Sequence, residues 1–207
     1  MKILRKFIAW IGSFFIKEKI PILSNPVDGI ISTPNINNGR LLNVTVNTSI
    51  DFTYQEKEFL IKVINLKKEV INSIEFRNKF LALKCSGTNG MTMLQIYQKL
   101  LSGKDSFEHQ VDRDINLFLK MYYMPNRTIA YTYGTTHQIW INRYHYQRRM
   151  KEKNGIAIQA NTFLHEYMHK LGFNDLDRNS VPYQSGQCLE FIAKLKIGGI
   201  ILTPTPG

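Results

Sequence analysis

The sequence predicts an α+β domain, and three observations carry that expectation. Apolar residues recur with period two over Leu42–Ile50, the pattern of a strand, and Ile115–Tyr123 is an apolar run of strand length. They recur with the helical period over Tyr54–Ile71 and Ser73–Leu83. The chain of 207 residues is 43% hydrophobic, enough to bury one sizeable core.

Taken in order, residues 1–20 combine Lys2, Arg5, Lys6, Lys17 and Lys19 with the apolar run Phe7–Ile16. That run is shorter than the ~20 residues a membrane-spanning helix needs. On a helical wheel Ile3, Leu4, Phe7, Ile8, Trp10, Ile11, Phe14 and Phe15 share one side, and Arg5, Lys6, Ser13 and Lys17 the other. Such a helix lies in a membrane interface, docks on its own domain, or serves as an export signal, although no small-x-small cleavage site precedes Pro21. An anionic membrane surface is therefore an expected partner of residues 1–19, and a membrane-associated or exported location is favoured. Residues 21–40, rich in Pro, Asn, Gly and Ser, read as a connector, and 41–207 as the domain proper.

Within the domain, Leu42–Ile50 is the first strand, and Phe59, Val63, Ile64 and Val70 supply the core stripe of the first helix. Asn89-Gly90 breaks the chain before a helix over Met91–Leu101 that stops at Gly103. Ile115–Tyr123, Thr128–Tyr133 and Gln138–Tyr144 read as strands, and Tyr183–Lys196 as a last helix closed by Gly198-Gly199. The terminal Thr-Pro-Thr-Pro-Gly reads as a loose tail. Cys85 and Cys188 give no disulfide framework: they form one bridge in an oxidising compartment or stay thiols in a reducing one. The formal charge of +11 favours acidic surfaces. The run Arg143–Lys151 interleaves basic and aromatic residues, but no nucleic-acid motif accompanies it. It reads as a solvated strand end and loop, and nucleic acid is not an expected partner.

The most informative stretch is His165-Glu166-Tyr167-Met168-His169-Lys170-Leu171-Gly172-Phe173-Asn174-Asp175. Histidines four apart stand one above the other on a helix, roughly 6 Å along the axis, so their imidazoles can converge on one ion. Glu166 sits one residue round, where it reaches a water on the ion rather than the ion itself. Ala160, Leu164, Tyr167, Met168 and Leu171 form a core arc, and Thr162, His165, Glu166 and His169 a polar one. Gly172 suits a left-handed helix end, with Phe173 touching Met168 in a Schellman motif, and the reversal carries Asp175 back toward the histidines. Asp177 and Glu190 are the other carboxylates that follow. His109, His137 and His145 lack ligand spacing and stay outside the metal site.

His-Glu-x-x-His-x-x-Gly-x-x-Asp resembles the extended motif of the metzincin zinc endopeptidases, and is similar to the branch typified by snapalysin, whose last ligand is Asp. The motif spans 11 residues. The resemblance implies a single metzincin-like zinc-protease domain, with a mixed sheet and packed helices before a zinc-binding active-site helix, and an edge strand above the cleft. It implies zinc on His165, His169 and Asp175, with Glu166 as general base. Substrate would then be a peptide or protein, its backbone paired with the exposed edge of the Gln138–Tyr144 strand. One departure is plain: no methionine follows Met168, and Ser180-Val181-Pro182-Tyr183 stands where the family's methionine turn would be. Tyr183 is there the candidate to donate a hydrogen bond to the developing oxyanion, or else to cap the final helix. Two other classes compete: an inactive zinc-binding structural or virion-associated protein, and a basic membrane- or nucleic-acid-binding module.

Overall fold

A computed structural model describes residues 41–106 and 111–205; the amphipathic helix expected at 1–20, the connector at 21–40 and His109 lie outside those residues. The described residues belong to one compact unit, Ile36–Gly207. Its class is α+β: among the described residues, six helices accompany a four-stranded sheet.

Strand β1 (Asn43–Ile50) runs parallel to β2 (Asp114–Tyr122), and β2 parallel to β4 (Gln138–Asn142). Strand β3 (Ala130–Thr132) is antiparallel to β4 on its other side, giving the order β1-β2-β4-β3. The alternation in β2 is complete: Ile115, Leu117, Leu119 and Met121 are buried, and every other residue is half-buried. A parallel β1-β2 pair needs a crossover, and three helices supply it. These are α1 (Tyr54–Ile71), α2 (Ile74–Leu81) and α3 (Met93–Ser102). Helix α1 opens on a capping box between Thr53 and Glu56, and α3 on one between Thr92 and Gln95.

After β4 come α4 (Arg143–Met150), α5 (Gly155–Lys170) and α6 (Val181–Ile197). Helix α5 is the central one: Ala157, Ala160, Phe163, Leu164, Tyr167 and Met168 on it are buried. They share a core with Phe59, Val63 and Ile71 of α1 and with Leu189 and Ile192 of α6. No helix of the described residues is long and apolar enough to cross a membrane.

Three expectations need correction. The Arg143–Lys151 run is not a strand end and loop: the strand stops at Asn142, whose side chain accepts the Tyr144 amide and starts α4. That helix is held from far away in the chain. Glu56, almost wholly buried, takes hydrogen bonds from Arg143 Nε at 3.1 Å and Gln147 Nε2 at 3.0 Å. Tyr146 packs edge-on against Phe52 and Phe59. The exposed edge is not on the Gln138–Tyr144 strand either, because β3 covers that side of β4; β3 is the edge strand. Nor is the C-terminal tail loose as far as Thr205: Thr203 and Thr205 exchange backbone hydrogen bonds with Ile74 and Asn72.

Candidate metal centre

Helix α5 sets the site. Its last turn closes as a Schellman motif: the Phe173 amide donates to the Met168 carbonyl at 3.1 Å and the Gly172 amide to that of His169 at 2.9 Å. Gly172 has φ +88°, the left-handed conformation this motif demands. Met168 and Phe173, the hydrophobic pair of the motif, are both fully buried.

The reversal brings Asp175 onto the two histidines. Its Oδ2 lies 3.3 Å from His165 Nε2 and 3.4 Å from His169 Nε2, and the two Nε2 atoms are 3.2 Å apart. The three donor atoms thus form a nearly equilateral triangle. Ligands about 2.0–2.1 Å from a tetrahedral zinc are separated by about 3.3 Å, so the triangle has the size of one face of a zinc site. This is also the only group of three potential ligands so clustered among the described residues.

The protons are arranged to match. His169 Nδ1 is 2.7 Å from the Phe173 carbonyl, which can only accept, so Nδ1 carries the proton and Nε2 presents its lone pair to the triangle. The turn that ends the helix therefore also fixes a ligand's tautomer. The His165 ring is hydrogen-bonded to the Pro182 backbone, and burial holds its pKa below the ordinary value against the opposing pull of Asp175. Neutral imidazole is the form that binds a metal.

Glu166 is about 5% exposed, and its Oε2 is buried without a hydrogen-bond partner. Burial, then the charge of Asp175, push its carboxyl up to about 8, while Lys170 opposes the shift. An orphaned carboxylate oxygen at this depth costs stability unless something polar meets it there.

Tyr183 stands beside the ligands: its ring meets that of His165 edge-on, with centroids 4.7 Å apart. The segment Ser180-Val181-Pro182-Tyr183 is the start of α6, with Ser180 at the N-cap position and Pro182 in the first turn. A helix start thus stands against His165 of the donor triangle. The other carboxylates are engaged elsewhere. Asp177 accepts from Ser86 and Asn179, and Glu190 from Asn161 Nδ2 at 2.6 Å with an ion pair to Lys194. His145 contacts the Asn126 carbonyl at 2.6 Å, and the His137 ring packs near that of Phe118.

Sequence reasoning overlooked Lys170. Its ammonium donates to the carbonyls of Tyr133, Thr136 and Gln138, tying the connection between β3 and β4 to the end of α5. The only sequence signal was its place beside His169, which suggests a solvated helix end. The clamp depends on residues more than 30 positions away. No protein-family model, no curated protein and no solved structure matches this chain.

Proposed function

We propose that the protein is a zinc-dependent peptidase, with His165, His169 and Asp175 as ligands and Glu166 as general base. The observation that carries this reading is the triangle of donor atoms with edges of 3.2–3.4 Å, beside a buried carboxylate with an unpartnered oxygen. A structural zinc site is closed by four protein ligands. Here only three potential ligands cluster, with no fourth His, Cys, Asp or Glu beside them among the described residues, and the adjacent carboxylate has no structural bond at Oε2 to account for its burial. Those two features favour a hydrolytic site over an inert one.

Zinc bound there would supply a Lewis acid and lower the pKa of water toward ~7. Glu166, its ionised form favoured by a dication beside it, would take the proton of the attacking water and return it to the leaving amine. Tyr183, held by its contact with the His165 ring, donates its hydroxyl proton to the oxyanion as charge develops there. An extended substrate adds to the free edge of β3, which Lys170 and the stacked pair Tyr131–Trp140 hold in place beside α5.

The test is metal content and peptide cleavage, measured on wild type and Glu166→Ala together. Wild type should hold one zinc per chain and cleave peptides. The variant should keep zinc and lose cleavage by on the order of 100-fold or more. A protein that takes up no zinc from an excess, or a variant that cleaves as well as wild type, would overturn the proposal.

A further inference from the structure

Arg149, at the end of α4, is about 5% exposed and has no carboxylate within ion-pair distance among the described residues. Its Nη1 donates to Gln159 Oε1 and to Thr162 Oγ1, each at 2.7 Å, and both acceptors are neutral. The N–H groups on Nε and Nη2 have no partner among the described residues and are not sealed from solvent. Two carboxylates act on its charge from beyond contact while bonded elsewhere, Glu152 to Arg148 at 3.1 Å and Glu190 to Asn161 and Lys194. A buried guanidinium is costly unless an anion meets it, and these two carboxylates offset that cost only at a distance, so no contacting anion completes it among the described residues.

Its location gives that lack a meaning. At about 100° per residue, Thr162 projects from α5 between His169 and Glu166, one turn nearer the N-terminus than the metal triangle. The axial distance from Thr162 to His165 and Glu166 is roughly 4.5 to 6 Å, one to two residues of an extended peptide. Gly155 fixes the arginine's own backbone, since any Cβ there would meet the Arg149 carbonyl at 1.7 Å. The guanidinium is therefore held on a rigid base against Thr162, one turn before the donor triangle.

We propose that Arg149 is a specificity-determining residue whose guanidinium takes a carboxylate of the peptide substrate within two residues of the scissile bond. This rests on the peptidase reading above and narrows its substrates to acidic peptides. The carboxylate belongs either to an Asp or Glu side chain or to a C-terminus. Arg suits it because two parallel N–H groups match two carboxylate oxygens.

The experiment uses zinc-loaded full-length protein and a set of alanine-based hexapeptides. One series carries Glu, or its isostere Gln, at each position in turn; another carries a free or amidated C-terminus. Binding is read by competition with a fluorescent hexapeptide and cleavage by mass spectrometry. Wild type should favour Glu over Gln at one position, or free acid over amide, by at least tenfold, and which series responds identifies the carboxylate's source. In Arg149→Met the ratio should fall below threefold while the neutral peptides bind as before. A purely structural arginine would weaken all peptides alike, so an unchanged ratio overturns the proposal, as does a wild type that ignores the carboxylate. Thr162→Val, which removes one of the guanidinium's two anchors together with the hydroxyl's bond to the Ile158 carbonyl, should lower the same ratio at least threefold, and serves if Arg149→Met does not fold. Carboxylate preference in binding without cleavage would retain the subsite and remove the peptidase. Cleavage of every peptide alike would do the reverse.

Discussion

In the proposed zinc site Asp175 would be the deciding ligand, because the two histidines alone would hold the ion at one side only. Its side chain is about 37% exposed, and besides the Gly172 reversal a long hydrogen bond from Ser180 Oγ, at 3.4 Å, holds it in place. Asp175→Ala should lower zinc affinity by at least tenfold, and Asp175→His should restore much of it, since imidazole suits the same tetrahedral corner. Glu190→Ala should leave the metal bound, because that carboxylate already serves Asn161 and Lys194. Competition with a chromogenic chelator measures all three; zinc lost from Glu190→Ala but not from Asp175→Ala would move the third ligand to α6. Most of this site was legible in the chain, because a helix and a left-handed turn are both local, and His165, Glu166, His169, Gly172 and Asp175 lie within 11 residues. The depth of Glu166 was not legible, since it depends on what the rest of the fold stacks around α5.

At the scale of elements, two glycines hold the site for different reasons. Gly172 needs its positive φ, but a Cβ there would meet nothing within 4 Å, so Gly172→Ala costs only backbone strain, about 1 kcal/mol. Gly186 lies inside α6, where a Cβ would come 2.0 Å from Asn161 Oδ1 and 3.1 Å from the Asn161 carbonyl of α5. Gly186→Ala must either part the helices or turn Asn161 away from Glu190, at about 1–3 kcal/mol. Because the α6 start carries Pro182 and Tyr183 against His165, the same change should weaken zinc binding as well as lower the melting temperature by on the order of 5 °C. Melting curves with and without zinc check this, and an unaltered zinc-dependent shift would detach α6 from the site. Elements with strong periodicity were legible to within a few residues, β2 and α1 above all. Helix α4 was not, because only His145, Tyr146 and Arg149 of its eight residues are buried and its composition is that of a solvated surface. Its order comes from Glu56, 87 residues earlier, a contact no local pattern encodes. The edge position of β3 was hidden for a similar reason: strand order belongs to topology, and a three-residue strand carries little alternation.

For the molecule as a whole, the helical layer is built around a buried lysine. Lys67 of α1 is fully buried, with its Nζ 3.4 Å from the Phe163 carbonyl and 5.6 Å from the centre of the Tyr167 ring on α5. One long hydrogen bond and one aromatic face replace little of the water an ammonium loses, so burial pushes its pKa down to about 7 from 10.5. The consequence for stability has a definite sign. Below pH 7 the lysine is charged in both folded and unfolded chains, and the folded state bears the whole desolvation cost. Between pH 7 and 10.5 the unfolded chain binds more protons than the folded one, so this residue's contribution to stability rises with pH, by at most about 1.4 kcal/mol per pH unit. Lys67→Met keeps the length of the side chain without its charge, and should therefore be more stable than wild type at pH 7. Its advantage should shrink steadily by pH 9. Comparing the two proteins at each pH cancels the other groups that titrate in this range, Cys85 and Lys170 among them. Urea unfolding of both proteins at pH 7, 8 and 9 provides the measurement. A difference that stays constant across the three would mean that Lys67 keeps its proton in the folded core up to pH 9, its pKa not lowered, and that burial against α5 does not carry the cost assigned to it.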